Sequence, residues 1–173
     1  MKYAVAFLLA WFFAVLHVSA LPFLKVLGVT PDAVLIFAAS WAVVRGQNEA
    51  MIVVPLAGLM RDLMSSDPVG TSVLAFAPLV LLAGVVRLQA LETDFVATIS
   101  VVAAGTVAFE LIHMLVLGVT GLPIDVWYAI SRVVIPGAIV NALFAPIIYL
   151  PVRWLSPKAA SGLRGMGRLT SPL

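Results

Sequence analysis

The sequence predicts an all-α integral membrane protein with six membrane-spanning helices. Three observations carry that fold class. Hydrophobic residues make up 63% of the 173 residues and charged residues only 10%, with a mean hydropathy of +1.16. An average soluble domain is about 45–50% apolar and about 25% charged. The apolar residues fall into six runs, several of them near the roughly 20 residues that cross a hydrocarbon core. Gly, Pro and charged residues gather at the junctions between the runs. The same figures exclude an ordinary soluble domain, a disordered chain and a coiled coil. The chain has no cysteine, so disulfides, thiolate metal sites and thiol nucleophiles are excluded. No charged run resembles a nucleic-acid-binding arm.

The elements follow in order. The first run covers residues 3–24. Its start, Met1-Lys2-Tyr3, and the later Val18-Ser19-Ala20 look like a leader with a small-residue cleavage site. Apolar character resumes through residues 21–24, which favours an uncleaved first helix. The second run, 31–44, and the third, 49–64, are short. They fit either tilted, partly shielded spans or a single re-entrant hairpin, with the spans preferred. The fourth covers 70–88, the fifth 95–119 and the sixth 132–155. Residues 1–155 read as a single six-helix domain. Residues 156–173 read as a flexible basic cytoplasmic tail, with Lys158, Arg164 and Arg168 and no acid.

Orientation follows from the basic residues. Six spans put both termini on one side. That side holds Lys2, Arg45, Arg87, Arg153, Lys158, Arg164 and Arg168, seven of the ten Lys and Arg. Both termini are therefore expected in the cytoplasm, with Lys25, Arg61 and Arg132 on the outer side.

Ionisable groups at membrane depth are costly and so are functional candidates. Glu110 and His113 lie three apart on the fifth run and share a helical face. They suit a hydrogen-bonded pair between helices better than a partner contact, a proton relay or a metal site. His17, near the outer end of the first run, reads as an interface residue with Asp32 or the loops as neighbours. Asn141, midway along the sixth run, needs a partner on another helix and reads as structural glue. Arg61-Asp62 precedes a polar turn, Met64 to Thr71. Adjacent charges on a helix point in different directions, so these two need not pair with each other. In that turn Asp67-Pro68 sets a reversal and Gly70 permits left-handed backbone. Ser65 and Ser66 are available as caps.

Ala6, Ala10 and Ala14 repeat every four residues and allow close helix approach, inside the chain or against another subunit. Pro136, Pro146 and Pro151 remove backbone donors from the sixth run and kink it into an uneven face suited to a partner helix. No hydrolase elbow, zinc-protease pair or nucleotide loop is present, so an enzyme is not expected, and no cofactor or metal is called for.

Three sequence elements together resemble the MreD family of rod shape-determining membrane proteins. The first is Pro31-Asp32 opening a run that ends at Arg45-Gly46. The second is Gly58-Leu59 followed by Asp62-Leu63 and Pro68-Val69-Gly70. The third is Pro136 with Asn141-Ala142 and Ala145-Pro146. The resemblance covers residues 31–155. It implies a small protein of the bacterial inner membrane in the elongation machinery for side-wall peptidoglycan. It implies direct binding to MreC, with MreB, RodA and a class B penicillin-binding protein in the wider complex. It also implies a six-helix fold similar to the substrate-binding subunits of energy-coupling-factor transporters. Pro31, Asp32, Asp62, Pro68 and Gly70 are then family markers, not an active site. The competing expectation is a vitamin- or ion-binding subunit of such a transporter. That reading lacks the aromatic cluster of a vitamin pocket. In it, Arg61, Asp62, Glu110 and His113 would face the substrate, and the alanines of the first run would form the docking face.

Overall fold

A computed structural model describes residues 2–88, 94–119, 121 and 125–155. The expected basic tail, 156–173, lies outside the described residues. Among the described residues the chain is helical, and the sole β pairing is an isolated bridge between Val26 and Val29. The helices are α1 (Lys2–Ser19), α2 (Ala33–Arg45), α3 (Gln47–Asp62), α4 (Thr71–Leu88), α5 (Asp94–Val119), the short α6 (Val126–Ala129) and α7 (Ile135–Trp154). A π turn, Ile130–Val134, joins α6 to α7. Six long helices therefore match the six apolar runs. Three stretches have the length and apolarity to cross a membrane: Tyr3–Phe23, Asp94–Val119 and the continuous Val126–Trp154.

The ends of these helices follow local chemistry. The first run breaks after Ser19 and continues as a 3₁₀ turn, Leu21–Phe23, with Pro22 inside it. Asp32 caps α2: its carboxylate accepts from the Leu35 N–H at 2.9 Å. The α2–α3 junction, expected to occupy residues 45–49, shrinks to Gly46, which ends one helix and starts the next at φ +96°. The sixth run starts earlier than the expected residue 132. Asp125 caps α6 by accepting from the Tyr128 N–H at 3.0 Å. The π turn then carries the helix onward. Its position has a cause: Pro136 has no N–H for the Arg132 carbonyl and its ring crowds that carbonyl, so the turn widens there.

The tertiary arrangement centres on α2. It packs against α1, α3, α4, α5 and α7. Every residue from Ala33 to Val44 is buried. A helix that is apolar all round is a buried one. Its 13 residues make a rod of about 20 Å at about 1.5 Å per residue, short of the roughly 30 Å core. Being sheathed by protein, α2 has no need to reach both interfaces by itself. Phe13, Phe37 and Trp41 form an aromatic file linking α1 to α2, with centroid spacings of 5.2 and 5.7 Å. The Ala6, Ala10 and Ala14 stripe is buried at 0, 0 and 1% exposure. It serves the chain's own packing, because α1 turns that face to α2 and α3. The outward face of α1 is instead aromatic, with Tyr3, Phe7, Trp11 and Phe12 exposed.

Helices α3 and α4 approach each other closely at Gly58. A methyl group at Gly58 would stand 2.9 Å from the Val73 Cα and backbone nitrogen. Only glycine fits there.

Candidate functional site

Most polar side chains of the core, Ser40 and Thr98 excepted, collect where α2 begins and α3 ends. Asn141 and Thr106 belong to the same cluster and lie near the middle of the two longest helical stretches. Asp62 closes α3 and is 2% exposed. Its carboxylate accepts from the Gly70 N–H at 2.7 Å and from the Ser72 N–H at 2.9 and 3.2 Å. A carboxylate at the first turn of α4 satisfies donors that the helix leaves open and complements its dipole. Gly70, at φ +101°, lets the chain return to Asp62. Ser65 Oγ accepts from the Asp67 N–H at 3.1 Å, and Thr71 Oγ1 donates to the Pro68 carbonyl at 2.7 Å. Ser65 and Thr71 are thus bound to the backbone of the turn.

Arg61 points away from Asp62, as adjacent positions on a helix require. Its Nε lies 3.1 Å from Asp32 Oδ2 and its Nη1 donates to Ser72 Oγ at 2.8 Å. Its guanidinium lies over the Phe109 ring at 4.5 Å. Asp32 thereby holds α2 to α3. It also holds α2 to α7, since its N–H donates to Asn141 Oδ1 at 2.7 Å. Asn141 Nδ2 donates to Thr106 Oγ1 at 3.0 Å, and Thr106 in turn donates to the Val102 carbonyl at 2.8 Å. One amide thus ties the start of α2 to α5 and α7.

Asp32 lies in the connection ahead of α2. Burial pushes its carboxyl pKa up, but Arg61, His17 and the N–H groups of Leu35 and Val34 outweigh that, and the net pKa falls below its usual 3.8. His17 Nδ1 lies 3.8 Å from Asp32 Oδ1.

Glu110 and His113 do not pair with each other. His113 Nε2 reaches Asp67 Oδ2 at 3.3 Å and ties α5 to the α3–α4 turn. Glu110 faces a cavity of about 300 Å³ lined also by His17, Thr30, Asp32, Arg61, Gly137 and Asn141. Among the described residues, no group of three His, Cys, Asp or Glu side chains is placed to hold a metal ion.

Residues 1–158 match the family described as rod shape-determining protein MreD. The chain belongs to the MreD family. MreD proteins are membrane proteins with a role in determining rod shape, and the family is one of structural shape determinants. No curated protein and no solved structure matches the chain.

The structure gives parts of the three sequence elements a common location. Pro31 and Asp32, Asp62 with Pro68 and Gly70, and Asn141 come from three distant stretches of sequence, and all sit at or beside the buried cluster. Pro136 adjoins the π turn, and Pro146 lies inside α7, away from the cluster. Two members of the network, Thr106 and Ser72, were not legible as site residues. The available signal for Thr106 was its place one turn before Glu110 on the same face of α5.

Proposed function

We propose that this MreD-family chain is a non-enzymatic scaffold of the cell-elongation complex in the bacterial inner membrane. In this reading it is multi-pass with both termini in the cytoplasm. It binds MreC directly, joins MreB, RodA and a class B penicillin-binding protein in the wider assembly, and helps organise side-wall peptidoglycan synthesis. The observation that carries the reading is the family match across residues 1–158. The weighting of basic residues toward one side supports the orientation. The five long helices gathered around α2 support a six-helix fold like that of energy-coupling-factor substrate-binding subunits, used here for assembly.

We place the MreC span in the groove between α1 and α7. Among the described residues, no Cα of α1 comes within 8 Å of one in α7. Between them lies an apolar slot of about 420 Å³, walled by Phe12, Leu16, Phe144, Ile147 and Pro151 and floored by Ala33 and Ile36 of α2. Helix association in lipid depends on packing fit, and such a slot offers it.

The test is a photo-crosslinker at Ile147, 63% exposed in the slot, with Met51 of α3, 56% exposed, as control. Crosslinking in native membranes to MreC from position 147 and not from 51 is the expected result. Crosslinking from 51 alone removes the groove assignment. Purification in mild detergent that yields paired ATPases and no MreC removes the scaffold itself.

A further inference from the structure

The cavity beside Asp32 holds a carboxyl group, Glu110, that the fold leaves without a hydrogen-bond or ion-pair partner among the described residues. The other charged groups near it each have a partner. Arg61 is committed to Asp32 at 3.1 Å, to Ser72 at 2.8 Å and to the face of Phe109 at 4.5 Å. Asp32 is committed to Arg61 and to the Leu35 N–H. Asp62, next door, is held by the backbone N–H groups of residues 70 and 72. His113 is engaged with Asp67. Glu110 lines the cavity and makes no hydrogen bond or ion pair with any described residue. His17 also lines it, and its Nδ1 is buried without a hydrogen bond. With Asp32 facing both Arg61 and His17, Glu110 is the acidic group of the cavity that is left to meet a ligand.

A buried carboxylate is retained at a cost unless a cation or a set of donors faces it. The space before Glu110 is about 300 Å³, the liquid volume of about ten waters and the lower end of ligand-pocket sizes. It is far too large for a bare ion, and among the described residues no three-ligand metal set converges on it. An anion would meet Glu110 unfavourably. A primary ammonium fits: it brings one positive charge and three donors. His17, with its side chain 21% exposed, marks a partly open side through which such a group can enter.

We propose that this cavity is a binding site for a primary ammonium group, with Glu110 as its counter-charge and Asn141, Thr30 and His17 around it. The proposal stands apart from the scaffold reading, which needs no ligand. The ammonium can come from a soluble amine or from the headgroup of an aminophospholipid.

Thermal unfolding of the purified full chain in detergent, with ethanolamine as probe, tests it. Ethanolamine at about 100-fold above its Kd raises the melting temperature by several degrees. Glu110→Gln abolishes the rise. Gly137→Val, which adds bulk at the cavity wall without changing charge, also abolishes it and serves if Glu110→Gln fails to fold. A methyl at position 137 meets only Thr106 Cγ2, at 3.7 Å. Nanodiscs of phosphatidylethanolamine and of phosphatidylglycerol separate the sources. Stabilisation by the former without added amine assigns the headgroup. Stabilisation by free ethanolamine alone assigns a soluble amine. No stabilisation by either probe, or equal stabilisation in Glu110→Gln or Gly137→Val, overturns the proposal.

Discussion

Replacing Asp62 by alanine removes the acceptor that holds the α3–α4 turn closed. The carboxylate takes the N–H groups of Gly70 and Ser72 at 2.7 and 2.9 Å. Without it, both donors lose their partner at a site where Ser72 is fully buried. A buried donor left unsatisfied costs about 1–3 kcal/mol, so the pair costs about 2–5 kcal/mol with some relief from water. For a chain of this size each kcal/mol shifts the melting temperature by about 2–4 °C, which gives a fall of about 4–20 °C. Asp62→Asn keeps one acceptor oxygen and turns an amide toward the other donor, so roughly half that loss is expected. Ser66→Ala, at an exposed position in the same turn, is the control and stays within about 0.5 kcal/mol of wild type. The assay is thermal unfolding in detergent followed by tryptophan fluorescence. A melting temperature for Asp62→Ala equal to that of Ser66→Ala would refute the assignment of Asp62 as the cap of α4.

Three further outcomes are expected. Gly58→Ala forces a methyl to 2.9 Å from the Val73 backbone and lowers stability by about 1–3 kcal/mol, read as a lower melting temperature. Asn141→Leu leaves the Asp32 N–H without its acceptor at 2.7 Å and costs about 1–3 kcal/mol. A stability unchanged from wild type would show that the amide does not bridge α2 and α7. The third outcome concerns pH. The folded pKa of Asp32 lies below its usual 3.8, so its ionised form adds stability that is present above that value and is lost as pH falls below it. Melting temperature measured from pH 7 to pH 3 should therefore drop at the acid end. Arg61→Met, which removes the main cation holding that pKa down, should shrink the drop.

The local features of the sequence were direct guides because their causes are local. The Asp67-Pro68 reversal, the left-handed Gly70 and the opposed directions of Arg61 and Asp62 depend on neighbours in the chain. Each has the expected conformation. Helix ends moved by a few residues wherever a cap or a single glycine could do the work of a longer junction, as at Asp32, Gly46 and Asp125. The expected Glu110–His113 pair is absent. A shared helical face sets where two side chains can reach, and the turn carrying Asp67 offered His113 the better partner.

By itself the sequence determined that this is a helical membrane protein of six apolar segments, because hydropathy and breaker residues report on solvent and backbone. Tertiary structure decided which segment is central and which polar groups meet. Hydropathy cannot tell a lipid neighbour from a protein neighbour, since both are apolar. The short α2 therefore looked like a marginal span, when it is the helix that the others surround. Likewise Asp32 lies 109 residues from Asn141 in sequence yet bonds to it at 2.7 Å. That contact exists because α2 and α7 pack side by side, where a buried amide and a helix N-terminus each supply what the other lacks.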